Sequence, residues 1–117
     1  MAQHNPERRV LVTGASRGIG RAIAIKLAAA GYHISIHYRG NHEAARETLA
    51  TIEAAGGTAS LLAFDVADRA AALAALEAEQ QAHGGYYGVV LNAGISRDGA
   101  FPALSDEDWD QVIHTNL

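Results

Sequence analysis

Thr13-Gly14-Ala15-Ser16-Arg17-Gly18-Ile19-Gly20 is the stretch on which the fold turns. Ahead of it, Arg9-Val10-Leu11-Val12-Thr13 is a compact apolar run that stops at Gly14 and predicts a buried strand. Behind it, Gly18 to Ala30 predicts a helix. Ile19, Ile23 and Leu27 recur every four residues, Ala22 and Ala30 widen that stripe, and Gly31 stops it. A glycine-rich turn joining a strand to a helix is a specific architecture, because each glycine answers a separate steric demand. Gly14 permits a tight turn out of the strand, Gly18 lets a ligand approach the backbone, and Gly20 lets the helix pack close to the sheet.

Such a turn suits a phosphate. Backbone N–H groups and the positive end of a helix dipole converge there, and side chains would block the approach. A mononucleotide P-loop would close on Gly-Lys-Ser/Thr, but Gly20 is followed by Arg21, so that reading fails. The spacing is G-x-x-x-G-x-G rather than G-x-G-x-x-G. In its strand–turn–helix setting the segment Gly14, Ala15, Ser16, Arg17, Gly18, Ile19 and Gly20 reads as the cradle of a dinucleotide. The plain alternative is a structural turn.

Working outward, the same alternation repeats. His33–Tyr38 is a second strand, and 42–55 a helix with Ala45, Leu49 and Ile52 on one side, ended by Gly56-Gly57. Thr58–Phe64 is a third strand. Asp68 caps a helix over 69–82 that has Leu73 and Leu76 on its apolar face and Gly84-Gly85 at its end. Tyr86–Leu91 is a fourth strand, running into Asn92-Ala93-Gly94. Ser105 and Asp108 form a capping-box-like start for a further helix carrying Trp109, Val112 and Ile113. Strands alternating with helices predict an α/β fold with a parallel sheet and flanking helices.

Composition closes off other classes. The 117 residues, 49% hydrophobic and 19% charged, suit one globular domain rather than a disordered chain. No cysteine is present, which excludes a disulfide scaffold and thiolate chemistry. Nine basic against thirteen acidic residues, net charge −4, argue against nucleic acid and anionic membrane as partners. The apolar runs are too short for a membrane span, and Met1–Arg9 lacks the apolar core of a signal peptide, so a cytoplasmic protein is expected. The six histidines are scattered, and no metal site is expected. His33 and His37 share a face of the second strand, where packing or solvent accounts for them.

On these motifs the chain resembles the short-chain dehydrogenase/reductases. The glycine segment resembles that family's cofactor loop. Phe64-Asp65-Val66 is similar to the segment carrying its adenine-contacting Asp, and Asn92-Ala93-Gly94 matches its Asn-Ala-Gly segment. Thr115-Asn116-Leu117 resembles the segment carrying its catalytic Asn, which makes Asn116 the catalytic candidate. Ile95-Ser96-Arg97-Asp98-Gly99 and the run Asp108–Ile113 look most like the 3-oxoacyl-(acyl-carrier-protein) reductases. Leu91 stands where the family commonly has Asn. The resemblance implies a Rossmann-type sheet of order 3-2-1-4, an incomplete doubly wound fold, in which residues 1–117 are the N-terminal, cofactor-binding part of one domain.

The cofactor choice is read at the end of the second strand. No acid stands between Gly20 and Glu43 to accept from a ribose 2′-OH; Arg39 stands there instead, with Arg17 in reach from the glycine loop. Two guanidiniums suit a 2′-phosphate, so NADP(H) is expected. A solvated surface arginine is the plain reading of Arg39, a helix-approach residue that of Asp65, and a satisfied turn that of Asn92. The resemblance also implies a Ser and a Tyr-x-x-x-Lys. The chain's one lysine, Lys26, follows Ala22 by four, so those groups would lie after Leu117. The expectation is therefore an NADPH-dependent carbonyl reductase acting on a small-molecule or acyl-carrier-protein-bound 3-oxoacyl substrate, with this chain alone inactive. Alternatives are a non-catalytic dinucleotide-binding module and a flavodoxin-like domain. An open edge at the fourth strand predicts a homo-oligomer or a complementary fragment as partner.

Overall fold

Alternation along each strand sorts the side chains onto two faces of one sheet. The computed structural model describes residues 5–92, 105, 107 and 108. Its elements run β1 (Asn5–Val12), α1 (Gly18–Ala29), β2 (Tyr32–Tyr38), α2 (His42–Ala54), β3 (Ala59–Ala63), α3 (Arg69–His83) and β4 (Gly88–Val90). The strands pair in parallel in the order β3-β2-β1-β4. Val10 faces Ile34 on β2 and Gly88 on β4, and Val12 faces Ile36 and Val90. The predicted α/β class and strand order therefore hold. β1 starts earlier than predicted, with a register shift between Asn5 and Arg9, and β4 is shorter than Tyr86–Leu91.

Val10, Val12, Ile34 and Ile36 point to one face, where Ala24 and Ala28 of α1 and Ala45 and Ile52 of α2 cover them. Leu11 points to the other, where it meets Phe64, Tyr86 and the α3 residues Ala72 and Leu76. Burying both faces explains why β1 reads as a near-continuous apolar run. Of the α1 stripe expected from Ile19, Ile23 and Leu27, the last two are half-buried against this core and Ile19 is not. The face turned inward is Gly20, Ala24 and Ala28, while Ile19 is 72% exposed and Ala22 and Ala30 are exposed. Small residues four apart bring the helix axis close to the sheet, and close approach outweighs side-chain hydrophobicity in choosing the face.

Two helices start on side-chain caps. Asn41 Oδ1 accepts from the Ala44 N–H at 3.1 Å, and Asp68 Oδ1 from the Ala71 N–H at 3.1 Å. The predicted box is also present: the Ser105 N–H donates to Asp108 Oδ2 at 3.0 Å and the Asp108 N–H to Ser105 Oγ at 3.2 Å. The Arg69 guanidinium clasps the same carboxylate through Nε at 2.9 Å and Nη2 at 2.8 Å, fastening this turn to the start of α3. Because all four strands run the same way, the chain leaves β1, β2, β3 and β4 at one edge of the sheet, and the candidate site lies there.

Candidate dinucleotide site

The turn after β1 is held from behind. Gly14 and Gly18 both have φ of 66°, the left-handed region that glycine enters without strain. The Ala15 and Ser16 carbonyls point toward α2: Thr48 Oγ1 lies 3.0 and 3.1 Å from them, and the Ser16 carbonyl accepts from Arg21 Nη2 at 2.6 Å and Nε at 3.1 Å. Arg21 also donates to Thr48 Oγ1 and to the Ala44 carbonyl. A trans peptide sends its N–H opposite to its C=O, so carbonyls drawn toward α2 turn the Ser16 and Arg17 N–H groups the other way. Arg17, the N-cap of α1, makes no side-chain cap bond, and the first-turn amides of α1 have no intrahelical acceptors. These amides form the kind of helix start that can receive an anion.

Gly20 is required by close approach. A Cβ there would stand 2.2 Å from the Gly14 carbonyl oxygen and 2.8 Å from Asn92 Nδ2. A Cβ at Gly18 would meet nothing within 4 Å, so the space in front of that backbone is open. Asn92 ties β4 to the turn: its N–H donates to Thr13 Oγ1 at 2.7 Å and its side-chain amide to the Gly14 carbonyl at 3.3 Å.

Beside the turn a cleft of about 440 Å³ opens, lined among others by Gly14, Ser16, Arg17, Arg39, Asp65 and Val66. Arg39 rises from the end of β2 with 77% of its side chain exposed, and its Nη2 lies 3.5 Å from Asp65 Oδ2. An exposed pair of this kind contributes little, so Arg39 can turn to another anion at small cost. Asp65 Oδ1 accepts from the Ala67 N–H at 2.9 Å, which shapes the exit of β3.

His37 forms the floor of this cleft. It is buried, its ring packs on Phe64 with centroids 4.2 Å apart, and it bridges two loops. The Gly14 N–H donates to Nδ1 at 3.0 Å, so Nδ1 carries no proton; Nε2–H then donates to the Phe64 carbonyl at 2.8 Å. Burial pushes the imidazole below its ordinary 6.5, against the Phe64 hydrogen bond and the Asp65 carboxylate, which raise it.

Of the residues predicted from sequence, Gly14, Ser16, Arg17, Arg39, Asp65 and Val66 converge on the cleft, and Gly18 and Gly20 open α1 beside it. Ala15 is buried in the core and its N–H donates to the His37 carbonyl at 2.9 Å, so it shapes the turn from within. Ile19 projects from α1 into solvent. Asn92 reaches the turn through Gly14. Ala93, Gly94 and Asn116 lie outside the described residues, as does the helix beyond Asp108. Sequence reasoning missed Arg21, Thr48 and His37 as parts of the site. Their partners are mostly main-chain atoms of other elements. The one available signal was that His37 sits at the C-terminal end of a strand next to β1, where crevice residues of open sheets gather.

Among the described residues, no helix is long and apolar enough to cross a membrane, and no three His, Asp or Glu side chains gather as metal ligands. In comparison with known proteins, the short chain dehydrogenase family model matches residues 8–117. The chain is 54% identical over 108 residues to the 3-oxoacyl-[acyl-carrier-protein] reductase FabG of Aggregatibacter actinomycetemcomitans, covering 92% of this chain and 45% of that protein. It is 39% identical over 110 residues to the reductase of the same name from Staphylococcus aureus, covering 94% and 45%. It is 38% identical over 110 residues to the 3beta-hydroxysteroid dehydrogenase 1 of Eggerthella lenta, covering 94% and 42%. The chain thus spans about half the length of the curated relatives it matches.

Proposed function

The chain belongs to the short-chain dehydrogenase family, and on that premise we propose that it is the cofactor-binding portion of an NADP(H)-dependent carbonyl reductase acting on 3-oxoacyl thioesters. The donor set fits a dinucleotide. The α1 N-terminus and the amides turned outward by the Thr48–Arg21 clamp would hold the pyrophosphate, and Val66 and Asp65 would border the adenine. Arg39 and Arg17 on the rim would hold a 2′-phosphate. When bound, the nicotinamide supplies hydride to the carbonyl. This chain's own residues bind and orient, and Asn116 is the residue the family resemblance assigns to the reacting end. A cytoplasmic, homo-oligomeric enzyme with an acyl-carrier-protein-borne substrate completes the reading. The 54% identity to a reductase of that substrate supports it, while the steroid dehydrogenase relative marks how little of substrate choice this half carries.

One observation carries the NADP(H) assignment: an exposed guanidinium, Arg39, stands at the exit of β2 where NAD-binding sheets place a carboxylate. Charge-assisted bonds to a phosphate contribute about 1.5–3 kcal/mol, so NADPH should bind at least about tenfold more tightly than NADH in a fluorescence titration. Arg39→Asp should erase or invert that ratio. An unchanged NADPH/NADH ratio in the variant removes Arg39 as the phosphate reader, and equal binding of both cofactors to the unaltered protein removes the NADP(H) assignment itself.

A further inference from the structure

The His37 imidazole joins the two walls of the cleft, and nothing in the proposed chemistry uses it. One wall is the glycine turn, reached through the Gly14 N–H; the other is the exit of β3, reached through the Phe64 carbonyl one residue before Asp65. The ring is buried, and both nitrogens are engaged in opposite senses, one accepting and one donating. That arrangement admits only the neutral Nε2–H form. A second proton on Nδ1 would face the Gly14 N–H, turning a hydrogen bond into an opposition of two donors. Gly14 also carries, on its following peptide, the carbonyl that sets the space above Gly20 and accepts from the Asn92 side-chain amide. Displacing it therefore disturbs the turn on which an anion would rest.

We infer that His37 is a positioning residue for cofactor binding: its neutral imidazole braces the glycine turn against the β3 exit, and protonation at Nδ1 releases the brace. The inference rests on the dinucleotide reading of the cleft. Asp65 is the carboxylate whose field reaches the ring, and Arg17 and Arg39 are the guanidiniums lining the same cleft. His42, a second imidazole, sits against the Tyr38 hydroxyl at the start of α2, which makes His42→Gln the control. The sign follows from burial. The folded-state value lies below 6.5, so the brace is complete above that pH and is lost as pH falls through the lowered value.

The test is NADPH affinity from about pH 8 down to the lowest pH at which each protein stays folded, for the unaltered protein, His37→Asn, His37→Gln and His42→Gln, with the variants separating the two bonds. Asn places an oxygen near the Nδ1 position and keeps an acceptor for Gly14 that does not titrate. Gln places its amide near Nε2 and keeps only the donor to Phe64. Losing one hydrogen bond that holds the turn corresponds to about tenfold in affinity. As pH falls through the lowered imidazole value, the unaltered protein and His42→Gln should weaken, by up to about that factor, relative to His37→Asn, whose profile lacks only the imidazole's own contribution. His37→Gln should be about tenfold weaker throughout. Parallel profiles for the unaltered protein and His37→Asn overturn the inference. Ring ¹⁵N chemical shifts, read without ligand near neutral pH, give an independent check: a protonated Nδ1 overturns the brace whatever binds. Absence of NADPH binding to the unaltered protein at high pH, with the Nε2–H form intact, instead sinks the dinucleotide reading and leaves His37 a structural bridge.

Discussion

The two ends of the sheet are built from similar side chains and treated oppositely. At the N-terminal end, Arg9 is buried, and both of its terminal nitrogens have acceptors. Nη2 meets Glu79 Oε1 at 2.6 Å, Nη1 meets the Gly84 carbonyl at 3.2 Å, and the guanidinium lies 4.7 Å from the centroid of the Tyr86 ring. Tyr86 in turn donates to Ser35 Oγ at 3.0 Å, and its burial pushes the phenol above its ordinary value, keeping it neutral. At the C-terminal end, Arg17 and Arg39 are exposed, α1 starts without a side-chain cap, and the space before Gly18 is open. Polar groups that close on one another hold the fold; polar groups held in place but left facing solvent are available to a ligand.

Breaking the closed end should have the largest effect on stability and none on the open end. Removing one partner of a buried ion pair costs about 3–5 kcal/mol, because the other charge is left without compensation. Glu79 retains 23% exposure, which places Arg9→Ala at the lower limit, about 3 kcal/mol. Urea unfolding should show that loss, while NADPH affinity of the folded fraction stays within about twofold of the unaltered protein, as independent, distant sites should behave. A large fall in affinity without a fall in stability would deny the division between the two ends.

At the open end the most damaging single atom is a methyl group on Gly20. The nearest obstacle is a backbone oxygen at 2.2 Å, which no rotamer change relieves, so the turn itself must move. Overpacking of this kind costs about 1–3 kcal/mol in stability. The expected signature of Gly20→Ala is the reverse of Arg9→Ala: a smaller loss of stability, about 2 kcal/mol, with loss of NADPH binding by about thirtyfold or more. Wild-type affinity in a folded Gly20→Ala protein would show that the turn does not carry the phosphate contact.

The same contrast explains what could be read from the chain alone. Strand and helix order were legible because apolar runs, alanine-rich stretches and glycine stops are local signals, and the glycine turn was legible because its spacing and its neighbours agree. The inward face of α1 was legible only in part: Ile23 and Leu27 pack against the core, Ile19 does not. Periodicity weights Ile19, Ile23 and Leu27, whereas the sheet accepts Gly20, Ala24 and Ala28 for their smallness. Arg9 looked like the first residue of a strand, since its carboxylate partner lies 70 positions away in α3. Thr48 gave no signal for the same reason: its contacts are loop carbonyls 33 and 32 positions distant. Contacts that join a side chain to remote main chain leave no trace in pattern or spacing.

The smallest expected effect comes from the second arginine–carboxylate pair, Arg69 with Asp108, beside the open end. Arg69 is exposed, unlike Arg9, and its bidentate bond holds the Asp108 carboxyl at about 2, down from 3.8, with the Ser105 N–H bond adding to the pull. A carboxyl whose folded-state value is depressed contributes its stabilisation fully above the unfolded value and loses it as pH falls through the folded one. The Ser105–Asp108 turn should therefore stay docked down to about pH 3.8 and detach as pH approaches about 2. A carboxyl ¹³C titration should place the Asp108 midpoint at about 2, and Arg69→Ala should move it upward but short of 3.8, because the Ser105 bond remains. High salt should raise the midpoint in the unaltered protein, whereas the buried Arg9–Glu79 pair should be far less sensitive. An Asp108 midpoint indifferent to both Arg69→Ala and salt would mean that Ser105 alone holds the carboxylate, and that the open end has no ion pair of consequence.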